Sequence, residues 1–385
     1  MKSGKIKILH IITNLPVGGA QDNTLITVDE LDKERYEVTL MSAEEGDWLD
    51  RALKMKNVKL IFVNELVRPI HLIYDIIALL RIYRIIRKGR YDIVHTHSSK
   101  PGFSGRIAAK LAGVPIIVHT VHGFPFNDFM NPLLRSFFIT LEEALAKISN
   151  VLVTVSKLNF QKIVDLKIAD PARLVNIYSG IYFDKFDKKT DVVSKKKELG
   201  IDPKMKVIGM VGRLSNQKSP QYFLDAIPAI AEAHPDTRFL LIGDGELRDA
   251  LEKRIKKLGI HDRTQILGFR DDVPDLLQVM DIYVLSSCWE GLGRSLTEAM
   301  YLKKPVVATA VEGVPEIVET GKTGVLVPPR DPESISRAVI SLLGDPAQTK
   351  ELGENAHRKV AKKFSAHKMV EQIDQLYQEL HAEDA

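Results

Sequence analysis

Short apolar runs alternate along the chain with longer segments in which apolar residues recur every three or four positions. The short runs predict buried strands, and the longer segments predict helices. Strands that alternate with helices favour a doubly wound parallel sheet. In the first half of the chain, strands are predicted at residues 5–14, 36–41, 58–63, 91–95, 115–120, 150–155 and 174–177.

A second series of the same kind follows a polar, lysine-rich stretch at residues 185–191, which is typical of a linker. The sequence therefore predicts an α/β protein with two Rossmann-like, doubly wound domains, residues 1–185 and 186–363, that face a cleft. Residues 346–385 are helical in pattern, and we expect residues 364–385 to pack back towards the first domain. In the second domain, strands are predicted at residues 207–211, 238–242, 265–267, 282–285, 305–308 and 325–327.

The composition is that of an ordinary globular protein, because 45% of the 385 residues are hydrophobic and 27% are charged. A net charge of +4 does not by itself indicate nucleic acid, but it is compatible with anionic ligands or an anionic membrane surface. Cys288 is the only cysteine, which excludes an internal disulfide and indicates a reducing cytosol. We see no signal peptide and no apolar run of about 18 residues, so we expect a cytoplasmic protein without a membrane span.

The stretch SSCWEGLGRSLTEAM joins a predicted strand to a predicted helix through a glycine loop. The backbone N–H groups of Gly291, Leu292 and Gly293, together with the helix N-terminus, are suited to an anion such as phosphate. Glu290 and Glu298 flank the loop. Carboxylates repel phosphate, so we expect these two to face hydroxyl groups. Phosphate and hydroxyl groups on one ligand suggest a nucleotide sugar.

Each of these acids also has a plainer interpretation. Glu298 points away from Leu296, Ala299 and Met300, which share the apolar side of the helix. It could clamp ribose hydroxyls, or it could be a solvated glutamate favoured by the helix N-terminus. Glu290 could likewise be an exposed acid of a glycine loop.

Two cations, Arg213 and Lys218, follow the strand predicted at residues 207–211. Arginine offers a bidentate fork and lysine a point charge, so the pair can meet two adjacent phosphates and stabilise a departing diphosphate. The alternative is a solvated loop with ordinary surface cations. Gly243, and Gly268 with Phe269, end two further strands. They could line a base and ribose pocket, or they could simply form turns.

In the first domain, His122 ends the strand-like run PIIVHTVHG. It could contact a sugar hydroxyl or a phosphate oxygen, and a structural role is the alternative. His119, three residues earlier, faces the other side of a strand. His95 and His97 are near in sequence, but the spacing gives no pair with an obvious third ligand, so we predict no metal site.

Three other first-domain features remain open. Gly18 and Gly19 follow the first strand, where their backbone could approach a ligand closely. Residues 124–138 are unusually apolar and aromatic, which suits either an acceptor groove or core packing. Residues 70–90 form an amphipathic helix whose basic face could lie on anionic lipid or could be the solvated side of a helix that covers the sheet. The predicted apolar face of this helix comprises Leu72, Ile76, Leu79, Tyr83 and Ile86, and the basic face comprises Arg81, Arg84 and Lys88.

The combination resembles the GT-B glycosyltransferases of the large retaining family 4, group 1, in particular members that build bacterial surface polysaccharides. The resemblance covers most of the chain. The motifs that carry it are the E-x7-E pair Glu290 and Glu298, the cations of VGRLSNQK, the GDG at residues 243–245, the run VPEIVETGKTGVLVPP and, in the first domain, HTHSSKPGFSGRIAAKLAG and HTVHGF.

The resemblance implies a metal-independent hexosyltransferase without a cofactor, in which a cationic pair does the work of a divalent ion. Arg213 and Lys218 would hold the diphosphate and assist its departure. Glu298 would bind the ribose hydroxyls, and Glu290, with the N–H groups of the glycine loop, would contact the donor sugar and the diphosphate.

In the first domain, the resemblance implies that Gly19 approaches the phosphates and that His122 contacts the donor sugar near the reacting carbon. The sequence departs from the family pattern at two places. Tyr182 stands where many members have an acid, which puts a polar role there in doubt. Glu312 and Gly313 stand where many members have paired glycines, which could alter the loop near the donor.

We therefore predict transfer of a sugar from UDP-hexose or UDP-N-acetylhexosamine to a saccharide or lipid-linked acceptor in surface-glycan biosynthesis. A UDP-sugar 2-epimerase of the same architecture and an inactive nucleotide-sugar-binding module are the alternatives. The predicted partners are the donor, the acceptor and, through the basic helix, the inner face of the cell membrane. We predict no nucleic-acid partner.

Overall fold

The structure, a computed structural model, describes residues 4–67, 71–126 and 130–384. Two units divide the chain. The first unit runs to Gly180 and resumes at Ala366, and the second unit is Ile181–Ser365. The chain therefore passes between the units twice. The boundaries expected from the sequence, after residues 185 and 363, lie close to these two crossings.

The first unit is built on a parallel sheet of apolar strands, as is typical when helices cover both faces of a sheet. Its strands within the described residues are β1 (Ile6–Ile11), β2 (Tyr36–Ser42), β3 (Val58–Phe62), β4 (Ile93–His97), β5 (Ile116–Val121), β6 (Val151–Thr154) and β7 (Leu174–Asn176). Its helices up to residue 180 are α1 (Gly19–Glu30), α2 (Leu49–Leu53), α3 (Leu72–Gly89), α4 (Ser99–Ala112), α5 (Pro132–Lys147) and α6 (Lys157–Asp165).

These strands lie in the order β3-β2-β1-β4-β5-β6-β7. The order reverses between β1 and β4, so the loops that follow these two strands part at the carboxyl edge of the sheet. Leu9 and Val94, from the two central strands, are fully buried in one cluster with Ile82 of α3 and Ala108 of α4. This apolar core fixes the carboxyl ends of β1, β4 and β5. His97 is the last residue of β4, and Gly18 and His122 lie in the loops after β1 and β5.

The second unit repeats the design. Its strands are β8 (Lys206–Val211), β9 (Thr237–Ile242), β10 (Thr264–Ile266), β11 (Ile282–Leu285), β12 (Val306–Thr309) and β13 (Val325–Val327), in the order β10-β9-β8-β11-β12-β13. Its helices are α7 (Asp184–Asp187), α8 (Val192–Glu198), α9 (Pro220–Ala233), α10 (Arg248–Lys257), α11 (Val273–Val279), α12 (Arg294–Tyr301), α13 (Val314–Ile317), α14 (Pro332–Gly344) and α15 (Pro346–Lys363).

After the second unit the chain returns to the first in α16 (Ala366–Asp384), which packs on α1. Asp374 of α16 accepts hydrogen bonds from the Tyr36 hydroxyl at 2.5 Å and from Arg35 Nη1 at 2.9 Å. Tyr377 of the same helix is fully buried. Residues from the far end of the sequence thus complete the core of the first unit.

Among the described residues, each of the thirteen predicted strands is present within a few residues of its expected bounds. One expectation was wrong. The polar stretch at residues 185–191 is not simply a linker, because α7 buries Phe186 there. The helical pattern expected from residue 346 onwards is present up to residue 384 as two helices, because α15 ends before Phe364, whose side chain is buried and whose carbonyl oxygen accepts from Ile181 N at 2.9 Å.

The helix predicted at residues 70–90 is α3, and its predicted first residue, Ile70, lies outside the described residues. The predicted apolar face is wrong in the N-terminal half of the helix. Leu72 and Ile76 are 75% and 51% exposed, and the buried stripe is Ala78, Ile82 and Ile86. Apolar spacing alone did not show which part of the helix the neighbouring α4 covers.

Candidate functional site

The second unit has an opening at the carboxyl edge of its sheet. β8 and β11 are neighbours, and the strands that follow them, β9 and β12, lie on opposite sides. The loops after β8 and β11 therefore diverge, which is where open α/β sheets bind ligands. Hydrogen bonds tie the two loops together: Cys288 N donates to Gln217 O at 2.8 Å, and Ser286 Oγ donates to Ser219 O at 3.1 Å.

Lys218 and Glu290 meet in this opening as an ion pair between Lys218 Nζ and Glu290 Oε2. The two side chains are only 15% and 11% exposed. The Ser287 hydroxyl donates to the same carboxylate oxygen at 3.3 Å, and the lysine chain passes within 3.4 Å of the position that a Cβ on Gly212 would take. The structure thus brings together a cation and an acid that are 72 positions apart in the sequence.

Arg213 lies next to this pair in the chain, directly after Gly212, and is half-buried. Gly243 has a φ of +129°, and a Cβ there would lie 2.1 Å from the carbonyl oxygen of Gly212. Gly243 N also donates to Gly268 O at 2.8 Å. Glycines therefore allow the ends of β8, β9 and β10 to approach one another closely beside Arg213. Phe269 follows Gly268 at the same edge of the sheet, and its side chain is 53% exposed.

The glycine loop ends at Gly293, which has a φ of +81° and directly precedes α12. Ser295, in the first turn of α12, donates to Val211 O at 2.9 Å and accepts from the buried Tyr283 hydroxyl at 2.8 Å. These bonds hold the start of the helix against the end of β8. Glu298, one turn later, is 13% exposed, and its Oε1 lies 3.7 Å from Lys185 Nζ. Lys185 was not among the residues singled out from the sequence.

Glu312 is a second acid that the structure adds to the loop. Its φ is +41°, a left-handed conformation that glycine adopts without strain. A glutamate thus occupies a position whose backbone conformation favours glycine. Its Oε2 accepts from Glu290 N at 2.9 Å, so one backbone N–H group at the start of the glycine loop is bound to a carboxylate of the chain itself.

In the first unit, Gly18 precedes α1 with an extended backbone, and α1 begins at Gly19. Any residue can adopt that conformation, so the structure gives no backbone reason for glycine at position 18. The atom closest to a Cβ there would be at the flexible end of Gln21, at 2.6 Å. Asp22, in the first turn, is buried and forms an ion pair with Arg51. This acid opposes binding of an anion at the helix N-terminus.

His122 lies just after β5, half-buried, and its Nε2 lies 3.2 Å from His97 Nδ1. His97 Nε2 is in turn 2.9 Å from His10 Nδ1. His119 is buried on the opposite face of β5, where its Nδ1 lies 2.9 Å from the Thr96 hydroxyl. Sequence reasoning did not include His10, although it pairs in register with His95 of β4. The signal was available only once β1 and β4 were known to be neighbours.

Within the described residues, His10, His95 and His97 form the one group with enough nearby ligand atoms for a metal ion. Two observations favour hydrogen bonds between the rings instead. His10 and His97 already share the 2.9 Å contact, and the rings of His95 and His97 stack at 4.3 Å with 24° between their planes. Imidazole lone pairs lie in the ring plane, so two stacked rings direct them within two nearly parallel planes rather than at one centre.

Apolar side chains are exposed on two helices of the first unit. Leu72, Ile73 and Ile76 of α3 are 75%, 63% and 51% exposed, and Leu133 and Phe137 of α5 are 83% and 59% exposed. The helix α4 packs against both. Residues 127–129 of the apolar segment predicted at 124–138 lie outside the described residues. No helix in the described part of the chain is long and apolar enough to cross a membrane.

Comparison with known families accounts for both units. A family model for group 1 glycosyl transferases matches residues 191–359, and a model for glycosyltransferase family 4 matches residues 17–185. An Escherichia coli relative, UDP-Gal:alpha-D-GlcNAc-diphosphoundecaprenol alpha-1,3-galactosyltransferase, is 34% identical over 98% of either chain. The alpha-D-kanosaminyltransferase of Streptomyces kanamyceticus is 28% identical over 79% of this chain and 82% of its own.

Solved structures agree on the fold. Anabaena HepE in complex with UDP and glucose superposes with a TM-score of 0.84 at 21% identity, over 97% of this chain and 100% of its own. Sucrose-phosphate synthase from Thermosynechococcus elongatus gives a TM-score of 0.82 at 19% identity, over 98% and 100%. With the two parallel sheets, these similarities confirm the predicted GT-B fold class.

Proposed function

The chain belongs to the group 1 glycosyltransferases of family 4, and from this premise we propose that it transfers a hexose or N-acetylhexosamine from a UDP-activated donor to a lipid-linked saccharide. The observation that carries the proposal is the Lys218–Glu290 ion pair beside the glycine loop, at the ligand-binding edge of the second sheet. The E. coli relative, which by its name uses UDP-Gal and a diphosphoundecaprenol acceptor, suggests the donor and acceptor classes.

The chemistry breaks the bond between the anomeric carbon and the diphosphate and forms a bond from that carbon to the oxygen of an acceptor hydroxyl, whose proton passes to the departing diphosphate. Negative charge then grows on the diphosphate, and Arg213 and Lys218 would stabilise it. Binding of the diphosphate requires Lys218 Nζ to exchange part of its contact with Glu290 for a phosphate oxygen. The released carboxylate would then face the hydroxyls of the donor sugar. Glu298 would hold the ribose.

The test is a donor screen with a short-chain polyprenyl diphosphate that carries N-acetylglucosamine. We expect UDP release to depend on both a UDP-sugar and this acceptor. Lys218→Ala should lower kcat by about 10- to 1000-fold, because it removes a charged contact made to the departing group. Lys253→Ala, an exposed lysine of α10 in the same unit, is the matched control and should leave kcat unchanged. If folded Lys218→Ala and the wild-type protein had equal kcat, Lys218 would not contact the departing diphosphate and the proposed site would be wrong.

The same assay separates the alternatives. An epimerase would produce a second UDP-sugar without acceptor, and an inactive module would bind donor without releasing UDP. Neither is favoured, because the named relatives above are transferases and the four charged residues Arg213, Lys218, Glu290 and Glu298 are all present.

We also propose that the reaction needs no metal, because the cations of the β8 loop can neutralise the diphosphate. Activity in excess EDTA should match activity without it. Loss of activity in EDTA that magnesium restores would contradict this proposal.

The exposed apolar residues of α3 and α5 support peripheral contact with an anionic membrane. Both helices follow strands of a parallel sheet, so their N-terminal halves lie towards its carboxyl edge. The basic residues Arg81, Arg84 and Lys88 lie in the C-terminal half of α3. Apolar side chains would enter the lipid interface while the cations bind head groups. Sedimentation with phosphatidylglycerol vesicles should fall in Ile73→Asp. Leu111→Asp, 65% exposed at the opposite end of α4, is the control. Equal binding of the two variants would contradict the proposal.

A further inference from the structure

Polar side chains occupy one face of the first sheet, where apolar ones would be expected. His10 of β1 pairs in register with His95 of β4, and His97 pairs in register with Thr120 of β5. Residues two apart in a strand point to the same side, so all four share a face, and His122 continues it beyond the end of β5. The covering element is α16, which places Tyr377 over this face.

Hydrogen-bond distances connect these groups one after another, and we call the connected set the histidine relay. It runs from His122 Nε2 to His97 Nδ1 (3.2 Å), His97 Nε2 to His10 Nδ1 (2.9 Å), His10 Nε2 to the Tyr377 hydroxyl (3.4 Å), that hydroxyl to His95 Nδ1 (2.5 Å), and His95 Nε2 to the Thr120 hydroxyl (2.7 Å).

The inner rings of the relay are neutral at neutral pH. Burial, with a smaller contribution from the charge of Lys33, lowers the pKa of His10 to about 3. Burial also lowers the pKa of His95 and His97 well below the ordinary value. A neutral imidazole has one nitrogen that donates and one that accepts. Because each contact needs one donor and one acceptor, fixing the proton of any ring fixes the protons of all the others.

The relay therefore has two complete arrangements. In the first, His122 Nε2 donates to His97, every later contact points towards Thr120, and His122 Nδ1 carries a lone pair. In the second, Thr120 donates to His95, every contact points towards His122, and His122 Nδ1 carries the proton. With His122 neutral, the two arrangements hold the same number of protons, one on each ring and one on each hydroxyl. They interconvert when the unit opens locally: each ring loses the proton of one nitrogen to solvent and takes up a proton on the other nitrogen, and the two hydroxyl groups rotate.

From this geometry we infer that the histidine relay sets the tautomer of His122, with Tyr377 as the positioning residue that couples its two halves. The hydroxyl of Tyr377 is the group that both His10 and His95 contact. The catalytic consequence rests on the proposed function: a donor-sugar or phosphate oxygen needs an N–H group from His122, so the second arrangement is the productive one. Residues of α16 thereby act on the reaction without touching the donor.

The variant Tyr377→Phe tests this inference, because it removes the coupling hydroxyl and keeps the ring. Tyr36→Phe is a matched control: Tyr36 is also buried, packs edge-on against Tyr377 at 6.2 Å and bonds to α16 through Asp374, outside the relay. The measurement is two-bond ¹H–¹⁵N NMR of histidine-labelled protein, which distinguishes imidazole tautomers. His122→Gln assigns the His122 signals.

We expect Tyr377→Phe to shift the tautomer populations of His97 and His122, and Tyr36→Phe to leave them at wild-type values. We also expect kcat to fall about tenfold in Tyr377→Phe with the donor KM unchanged, as for loss of an effect on the chemical step. A purely structural tyrosine would lower stability without moving the His122 signals. Wild-type His122 signals in folded Tyr377→Phe would overturn the inference.

If the proposed function is wrong, the experiment gives a different result from the one expected if the histidine relay is wrong. If the wild-type protein transfers no sugar but Tyr377→Phe still moves the His122 signals, the relay is supported and the catalytic role of His122 is wrong. If Tyr377→Phe does not fold, Thr120→Val breaks the far end of the relay with little change in shape. Unchanged His122 signals in Thr120→Val would then overturn the inference.

Discussion

Mild acid should unfold the first unit of this protein before the second. His10, His95, His97 and His119 are buried in the first unit, and burial lowers the pKa of each, that of His10 to about 3. In the unfolded chain a histidine titrates near 6.5. Below that pH the unfolded chain binds protons that the folded unit does not, so stability is retained above about pH 6.5 and is lost as the pH falls towards the folded pKa.

The size of the effect follows from linkage. At about pH 6, one histidine with an unfolded pKa near 6.5 and a strongly lowered folded pKa costs about 0.8 kcal/mol relative to pH 7.5. Four such histidines cost about 3 kcal/mol, a large part of the roughly 5–15 kcal/mol that stabilises a typical domain. Residues 181–365, all of which the structure describes, contain no fully buried histidine, so the second unit should lose far less.

Tryptophan fluorescence can follow each unit separately, because the chain has two tryptophans. Trp48 belongs to the first unit and Trp289 to the second. Urea unfolding of Trp289→Phe therefore reports on the first unit, and unfolding of Trp48→Phe reports on the second. When the pH is lowered from about 7.5 to about 6, we expect the urea midpoint of the first unit, followed by Trp48, to fall clearly. The urea midpoint of the second unit, followed by Trp289, should change little.

A pair of histidine variants refines the measurement. His119→Asn removes one buried titrating group outside the histidine relay, so it should remove about a quarter of the pH dependence, whatever it does to stability at pH 7.5. His261→Asn is the control, because the side chain of His261 is 62% exposed in the folded protein. Equal acid sensitivity of the two units, or a wild-type pH dependence in His119→Asn, would refute the reasoning.

Two further predictions concern buried groups. Glu142 pairs at 2.8 Å with a fully buried arginine of α4, so Glu142→Gln should destabilise the first unit by about 3 kcal/mol in urea unfolding. Glu143→Gln, from an exposed pair, should change stability by less than about 0.5 kcal/mol, and similar losses in both would contradict this account. In the second unit, a methyl group on Gly243 would lie 2.1 Å from a carbonyl oxygen of the β8 loop, so Gly243→Ala should cost about 3 kcal/mol and abolish transfer. Gly259 has a φ of +69° and open space around it, so Gly259→Ala should lower the free energy of unfolding by about 1 kcal/mol and keep the activity. Equal effects of Gly243→Ala and Gly259→Ala would contradict the prediction, because they would show that the close contact at Gly243 relaxes without cost.

Most of the architecture can be predicted from the sequence, because strands buried on both faces appear as apolar runs. The runs at β8 and β11 also indicate which loops follow the central strands, so Lys218 and Glu290 could be assigned to one edge of a sheet before their contact was known. The contact itself could not be predicted, because it depends on the order of strands separated by about 70 residues.

Other features needed three-dimensional information of a different kind. Glu312 reads as an ordinary acid in the sequence, and only its positive φ shows that it occupies a glycine-like position. The polar face of the first sheet combines three strands with Tyr377 of α16, and no local pattern connects residue 10 with residue 377. Helical spacing likewise identified α3 but not its covered side, because the extent of α4 decides which apolar residues are buried.

The return of the chain to its first unit has a consequence for biosynthesis. A ribosome must translate all of residues 181–365 before it reaches α16. During that interval the nascent first unit has its strands but not the helix that covers His10, His95 and Tyr36. The sheet of the first unit therefore exposes a face with polar and apolar side chains while the second unit is still being synthesised. Slow translation of residues 181–365 would prolong this exposure.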